Sequence, residues 1–353
     1  MYRFCLLLCA FFISNAVVAE RAIERVSGVV SHPWGMDFID ERKVLVTSRQ
    51  GALFKVDIPT NETDEIKGIP DSVAIGQGGL LDVAVLKGDV YLCYTKEVAP
   101  SRYTTAIFKA HLENDRLING KDLFVSNHSS SAGYHFGCRL VISDDQLYAS
   151  LGDRGDRLNA QKPDNHAGSI IRISLTGTPI NNAKDDWLPE IHSIGHRNPQ
   201  GMTLMPNGEL WSHEHGPQGG DEINVIQRGS NYGWPIISYG EEYGGGEIGL
   251  NHSPAGYIDP IWTWVPSIAP SGMNFYSGDM FPEIKGSLLV GSLKFRRIYS
   301  VVLNEKKRPI SESVWLDKEL GRIRDIAVMK DGSILVLNDQ VDGGLYRIYE
   351  VKK

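Results

Sequence analysis

Cationic side chains stand beside short apolar runs at widely separated points of this 353-residue sequence: Arg154, Arg197, Lys294, Arg322 and Arg324. A single arginine in such a place is most often a solvated loop charge. Their recurrence beside the ends of several apolar runs suggests that folding brings them together. Convergent guanidinium and ammonium groups on an acidic protein form a local positive region, which suits a small polyanionic ligand better than a polymer.

Six short hairpins must position these residues. Polar turns at residues 40–43, 87–89, 144–146, 207–209, 285–287 and 331–333 each join two apolar runs that are too short for helices and the right length for strands. The turns recur at intervals of roughly 46 to 78 residues, and units of 40 to 50 residues with four short strands are typical of propeller blades. We therefore predict an all-β fold, a six-bladed β-propeller with four-stranded antiparallel blades. A pair of β-sandwiches is the alternative.

The propeller hypothesis also predicts where the chemistry lies. The innermost strand of each blade crosses from one face to the other and the next strand returns. Residues just before the first apolar run and just after the second therefore share one face around the channel. That face collects the cations together with the segments that begin at Gln77, His135 and His213.

The N-terminus and the overall charge restrict location and partners. A basic start, a short apolar core and small residues up to Ala19 predict a signal peptide over residues 1–19, followed by one propeller domain over residues 20–353. A membrane anchor is the alternative. The net charge of −7 argues against nucleic acid and anionic membranes as partners. An exported protein, periplasmic or secreted, without stable membrane insertion is expected. Cys93 and Cys138 remain after cleavage, and their spacing permits a disulfide without requiring one.

Ordered segments over most of the chain carry a family resemblance. Residues 77–82, 195–201, 215–224, 231–235, 292–294 and 321–325 resemble the soluble quinoprotein sugar dehydrogenases, and most of all the aldose sugar dehydrogenases that use pyrroloquinoline quinone (PQQ). The resemblance implies a six-bladed propeller with PQQ and Ca²⁺ above the channel. It also implies oxidation of the C1 hydroxyl of an aldose to a lactone, with electrons passing to an external acceptor, a quinone or a cytochrome.

The resemblance also implies roles for individual residues. His135 matches the general base, and Arg197 would act with calcium to polarise the quinone carbonyl. The backbone carbonyls of Gly216 and Pro217 match the calcium ligands, and oxygen ligands are those that calcium prefers. The residues that match cofactor binding are Gln77, Arg197, Asn198, Ser267, Lys294, Arg322 and Arg324.

Several positions leave alternatives open. Tyr134 stands where glucose-specific members carry an acid and Arg154 where they carry a glutamine, so both are expected to face substrate or cofactor and to relax the preference for glucose. The tract at 239–246 is a flexible insertion, or Glu242 within it joins Glu222 as a ligand of a second calcium. Trp34 is the candidate for stacking on a sugar.

Two rival functions follow from other features. His213 and His215 alternate along a strand with a metal-ligand spacing, which would suit a calcium- or zinc-dependent propeller lactonase. Without its cofactor, the same fold would be a secreted propeller that binds a carbohydrate or a protein. The five convergent cations favour the dehydrogenase over both.

Overall fold

A computed structural model of the protein describes residues 20–180 and 183–351, so the predicted signal peptide lies outside the described residues. Strand β1 (Glu20–Arg25) precedes the first blade and belongs to the last. Blade 1 contains β2 (Pro33–Phe38), β3 (Lys43–Ser48), β4 (Ala52–Asp57) and β5 (Glu62–Ile66). Blade 2 contains β6 (Leu80–Leu86), β7 (Asp89–Ala99), β8 (Arg102–Glu113) and β9 (Arg116–Val125).

The remaining four blades follow the same order. Blade 3 contains β10 (Leu140–Ser143), β11 (Gln146–Ser150), β12 (Ser169–Ser174) and β13 (Ile191–Ile194). Blade 4 contains β14 (Pro199–Leu204), β15 (Leu210–Glu214), β16 (Asp221–Ile226) and, after the short β17 (Ser230–Asn231), β18 (Trp262–Trp264). Blade 5 contains β19 (Pro270–Phe275), β20 (Leu288–Ser292), β21 (Arg297–Leu303) and β22 (Pro309–Asp317). Blade 6 contains β23 (Ile323–Val328), β24 (Ile334–Asn338), β25 (Leu345–Val351) and β1.

The predicted six-bladed β-propeller is confirmed. Each predicted turn joins the innermost strand of a blade to the second strand, and the innermost strands contact one another in a closed ring. One difference is that blade 3 gains β17 as a fifth strand, which pairs parallel to β13. The described helices are two short 3-10 turns, Arg157–Gln161 and Pro282–Ile284. No helix within residues 20–180 and 183–351 is long and apolar enough to cross a membrane.

The buried fraction of the strands decreases from the central axis of the propeller to its outer rim. The second strands β15, β20 and β24 are buried at every position, whereas the outermost β5 and β22 are mostly exposed. An apolar cluster fills each of the six interfaces between adjacent blades. Burial of apolar surface between blades therefore holds the ring together.

The start of the innermost strand is irregular in five of the six blades. Register shifts occur near the first residues of β2, β6, β14, β19 and β23. Such irregularities commonly occur next to functional sites, because they redirect side chains. They lie at the face on which the sequence places the chemistry.

Side chains fill the channel beneath that face. Arg139 Nη1 lies 3.0 Å from Asp82 Oδ1 and 3.1 Å from Asp325 Oδ2, so three blades meet in one buried ion pair cluster. The Arg139 guanidinium lies 4.5 Å from the centre of the Trp34 ring. Trp34 is only 2% exposed, so the expectation that it stacks on a sugar is wrong.

A disulfide connects blades 2 and 3. Cys93 on β7 is bonded to Cys138, which lies just before β10. The bond that the sequence left open is therefore present, and it tethers the end of the 126–138 loop.

Candidate active site

Two adjoining cavities open on the predicted face. The main cavity has a volume of about 490 Å³, and its lining includes these predicted site residues: Gln77, His135, Arg197, Gly216, Pro217, Ser267 and Lys294. The side cavity has a volume of about 450 Å³ and is lined partly by Tyr134, Asp153, Trp234 and Glu242. Gln77, His135, Arg197, Pro217 and Tyr243 border both cavities. The fold thus gathers loops from blades 2 to 5 around His135.

His135 is held in a constrained backbone conformation. Its φ of 56° is in the left-handed region, which non-glycine residues seldom adopt and which often marks a functional position. Its backbone N–H donates to Gln77 Oε1 at 2.9 Å. Gly152 permits the close approach of the next loop, since a Cβ there would lie 2.2 Å from the His135 carbonyl oxygen.

Asp153 orients the His135 ring. Asp153 Oδ1 lies 2.7 Å from His135 Nδ1 and accepts the Gly155 N–H at 2.8 Å, while Oδ2 accepts the Trp234 indole N–H at 2.8 Å. An ionised Asp153 fixes the proton on Nδ1, which leaves Nε2 as the basic nitrogen. The sequence did not assign Asp153 or Trp234 to the site. The Gly-Asp pair after the third hairpin was the available signal, because it lies on the correct face.

The electrostatics keep His135 neutral and Asp153 ionised. Burial lowers the pKa of His135, Asp153 opposes that effect, and the nearby positive charges of Arg197 and Arg154 lower the pKa further. Burial alone would raise the pKa of Asp153, but its hydrogen bond to His135 and their opposite charges hold it below its usual value. The imidazole is therefore neutral at neutral pH, next to an ionised carboxylate.

Arg197 forms one wall shared by the two cavities. Its Nη1 donates to the Gly216 carbonyl at 2.8 Å and to the His215 carbonyl at 3.1 Å, and its guanidinium lies 5.3 Å from the centre of the Trp234 ring. Its backbone N–H donates to Glu214. These contacts fix a positive charge beside His135.

Asp221 builds the loop that presents Gly216 and Pro217. One carboxylate oxygen accepts the Gly216 N–H at 2.8 Å, and the other accepts the N–H groups of Ile268 and Ala269 at 2.7 and 2.8 Å. Burial raises the pKa of Asp221. The carboxylate thus joins the loop after β15 to the segment before β19, where Ser267 borders the same cavity.

Three predicted cofactor residues line neither cavity: Asn198, Arg322 and Arg324. Arg322 Nη2 and Arg324 Nη2 lie 3.1 and 3.2 Å from Asp339 Oδ2, so this carboxylate partly neutralises the predicted positive region. Lys294 borders the main cavity next to Arg322, whose Nη1 is 3.4 Å from the Leu293 carbonyl. Asn198 is buried behind the cavity, and its Oδ1 accepts the Gly137 N–H at 3.2 Å.

Arg154 does not face substrate or cofactor, contrary to expectation. It is 3% exposed, donates to the carbonyls of Ala132 and Tyr134, and lies 3.4 Å from the centre of the Phe136 ring. Its φ of 57° turns the side chain behind the loop. Arg154 therefore supports the His135 loop from within. Tyr134 does line the side cavity.

The proposed second metal site is not assembled. Glu222 is partly buried beside Glu214, and this burial followed by the Glu214 charge raises the pKa of Glu222 well above the usual value. Glu242 borders the other side of the site and pairs with Arg157 at 2.6 Å. Within the described ranges, no three His, Cys, Asp or Glu side chains form a metal-binding group.

The two histidines of the rival lactonase reading do not converge. A Cβ at Gly201 would lie 2.3 Å from His213 Nε2, so His213 packs against the innermost strand inside the blade. His215 Nε2 donates to the Pro270 carbonyl at 2.7 Å, and burial lowers its pKa to about 3. His213 is fully buried, whereas His215 borders the main cavity, so the two rings do not line one site.

A neutral histidine beside fixed cations, on the axial face of a propeller, is the arrangement that the sequence segments led us to expect of a propeller oxidoreductase. The family model described as Glucose / Sorbosone dehydrogenase matches residues 30–347, and the chain belongs to this family. The family inferred from the sequence segments is thereby confirmed.

Individual relatives agree with that assignment. The chain is 34% identical over 359 residues to aldose sugar dehydrogenase YliI of Escherichia coli (strain K12), covering 97% of this chain and 96% of the relative. It is 26% identical to quinoprotein glucose dehydrogenase B of Acinetobacter calcoaceticus, covering 87% of this chain and 82% of the relative. A crystal structure of glucose dehydrogenase superimposes with a TM-score of 0.88 at 33% identity, covering 92% of this chain and 99% of that chain.

Proposed function

We propose that this protein oxidises aldose sugars at C1 to lactones, using PQQ and Ca²⁺, and passes the electrons to an external quinone or cytochrome. The observation that carries the proposal is the His135–Asp153 pair beside Arg197, at the junction of two cavities. The relatives named aldose sugar dehydrogenase and quinoprotein glucose dehydrogenase support the substrate class and the cofactor.

The main cavity fits an anionic, oxygen-rich cofactor. Its volume of about 490 Å³ is within the range of roughly 300 to 1,000 Å³ that is usual for small-molecule sites. Arg197 and Lys294 would bind carboxylates of PQQ, with Gln77 and Ser267 as further polar partners. Asn198, Arg322 and Arg324 would support these contacts from the floor and edge of the site.

The 215–217 loop suits a calcium ion. Gly216 and Pro217 border the main cavity, and backbone carbonyls are among the oxygen ligands that calcium accepts. We do not propose a second calcium, because Glu222 and Glu242 do not line one cavity. We assign Glu242 to its ion pair with Arg157.

The side cavity would receive the sugar. When bound, PQQ supplies the hydride acceptor. His135 Nε2 accepts the proton of the C1 hydroxyl, and Asp153 stabilises the imidazolium that forms. The positive charge of Arg197 stabilises negative charge that develops at the junction of the cavities.

We also propose that the protein is exported to the periplasm or secreted. The predicted signal peptide over residues 1–19 supports this location. The Cys93–Cys138 disulfide supports it as well, because such bonds persist in oxidising compartments.

Titration of purified protein with PQQ and Ca²⁺ tests the function. We expect a change in the PQQ absorbance spectrum that saturates, followed by aldose-dependent reduction of an artificial electron acceptor. Protein that neither binds PQQ nor gains activity on a panel of aldoses would overturn the proposal and favour a binding propeller. Hydrolysis of lactones without PQQ would favour the lactonase.

A further inference from the structure

We propose that the Cys93–Cys138 disulfide positions the base His135, because it holds residues 134–138, which we term the base loop, in a backbone conformation that residue 138 disfavours. This inference rests on the proposed function, in which His135 accepts the proton of the C1 hydroxyl. It gives the crosslink a role in turnover that is separate from its contribution to stability.

The base loop has an unusual backbone conformation. Three of its last four residues are left-handed, with φ values of 56° at His135, 65° at Gly137 and 80° at Cys138. Glycine adopts this region at little cost, whereas a β-carbon makes it unfavourable. His135 and Cys138 therefore keep this conformation only because surrounding contacts hold them in it.

The crosslink is a covalent contact of this kind at position 138. Cys93 lies within β7, which pairs with β6 on one side and with β8 on the other. Both cysteines are 0% exposed and belong to the apolar cluster between blades 2 and 3. Because the Cys138 side chain is bonded to a buried strand, its Cα–Cβ bond has a fixed direction. The backbone at position 138 is fixed with it.

Two residues connect Cys138 to His135, and both are held in the core. Phe136 is 2% exposed and packs in the same apolar cluster as the disulfide. The Gly137 N–H donates to Asn198 Oδ1 at 3.2 Å. A change of φ at Cys138 would rotate the peptide group that precedes it and disturb these contacts. The conformation at position 138 is thus transmitted to the base.

The surroundings of His135 tolerate little displacement. Its Nδ1 lies 2.7 Å from Asp153 Oδ1, and its N–H donates to Gln77 Oε1 at 2.9 Å. Arg154 donates to the Tyr134 carbonyl, so the base loop is held before His135 as well as after it. Release of the crosslinked end would remove one of these two anchors and loosen the contact with Asp153.

The test compares two variants that lack the disulfide and differ only in the β-carbon at position 138. In C93A/C138A the β-carbon remains without the crosslink, so the base loop should relax and kcat should fall roughly tenfold to a hundredfold. In C93A/C138G, glycine adopts the left-handed conformation unaided, so kcat should stay within about threefold of the wild type. The affinity for PQQ should stay within several-fold of the wild type in both variants. C93A alone also keeps a β-carbon at position 138, and it should behave like C93A/C138A.

L345A controls for the loss of stability. Leu345 is 0% exposed on β25 in blade 6 and borders neither cavity. Its truncation destabilises the fold, because it leaves a cavity in the core. The kcat of L345A should equal that of the wild type when every variant is assayed below its unfolding transition.

A second measurement needs neither PQQ nor turnover. The ¹⁵N spectrum of histidine-labelled, PQQ-free protein reports which ring nitrogen carries the proton, and the His135 signals are those absent from H135Q. Asp153 keeps the proton on Nδ1, so the wild type, L345A and C93A/C138G should show this tautomer. C93A/C138A should show a larger share of the form that is protonated at Nε2.

Equal kcat values in the wild type and C93A/C138A would overturn the proposal, as would an unaltered His135 tautomer in that variant. A C93A/C138G variant as slow as C93A/C138A would overturn it too, because the backbone conformation would then not be the cause. Failure of the proposed function has a different signature, namely the absence of PQQ binding and of sugar oxidation in the wild type, which leaves the tautomer comparison intact.

Discussion

Replacement of Asp153 by Asn tests the assignment of His135 as an oriented base. Asp153 accepts three hydrogen bonds, from His135 and Gly155 at Oδ1 and from Trp234 at Oδ2. Asparagine has one accepting oxygen and one NH₂ group. Either orientation of the amide therefore places a donor against a donor, but the Gly155 N–H is on an exposed residue and can be solvated, whereas the Trp234 indole is buried.

The magnitude follows from these contacts. When His135 becomes charged, its Nδ1–H requires the amide oxygen, which turns the NH₂ group toward the Trp234 indole. An unsatisfied buried donor costs about 1 to 3 kcal/mol, and loss of the charge on the accepting oxygen removes about 1 kcal/mol more from the imidazolium. At 1.36 kcal/mol per factor of ten, a total of about 2 to 4 kcal/mol lowers kcat roughly 30- to 900-fold.

The pH profile provides a second measurement. Neutral His135 is the active form, so activity is lost as the pH falls through its pKa, which burial has lowered. Because the Asp153 carboxylate raises that pKa, its removal lowers the pKa further. The acid limb of the kcat profile should therefore move to lower pH in D153N while the plateau falls.

The assay is steady-state reduction of an artificial acceptor at saturating PQQ, Ca²⁺ and aldose. D156N is the matched control, since Asp156 is exposed and borders neither cavity. A kcat within threefold of wild type, or an acid limb that moves to higher pH, would refute the role of Asp153. An equal loss of PQQ affinity would show that the pair holds the cofactor instead.

Three further changes test the site and the fold. H135Q should lower kcat by about 10²- to 10⁴-fold and leave PQQ affinity within several-fold; equal losses of both would place the base elsewhere. Y134D should change the ratio of kcat/KM between glucose and other aldoses by about 1 to 3 kcal/mol, whereas an unaltered sugar ranking would exclude Tyr134 from specificity. C93A/C138A removes a crosslink with a sequence separation of 45, so guanidinium unfolding should show a loss of about 4 kcal/mol, and an unchanged midpoint would contradict this.

The fold could be predicted from the sequence because the pattern that specifies it is local and is repeated in every blade. Each polar turn between two apolar runs specifies a hairpin, and the interval between turns is the length of a blade. Position within a blade then places a residue on one face. This is why Gln77, His135, Arg197 and Lys294 do converge.

The direction in which individual side chains point was harder to predict from the sequence. Arg154 looks like any loop cation, and only its positive φ turns it behind the His135 loop. Asp153 is paired with Trp234, 81 residues away, and nothing in either segment indicates the partner. Trp34 starts an innermost strand, where the register shift points it into the channel instead of toward solvent. Contacts between loops of different blades depend on the backbone dihedral angles of those loops, which the spacing of residues in the sequence does not specify.

The closure of the ring has a consequence for how the protein tolerates motion. The last blade is completed by β1, whose register with β25 runs from Glu20 opposite Val351 to Arg25 opposite Tyr346. This seam joins the first and last described strands, and terminal strands are where fraying is easiest. The cavities draw their residues from blades 2 to 5, and the cations of blade 6 lie at the start of its innermost strand, separated from β1 by β24 and β25. The seam therefore lies at the outer edge of blade 6, away from the loops that line the cavities, and we expect fraying of β1 to leave the site assembled.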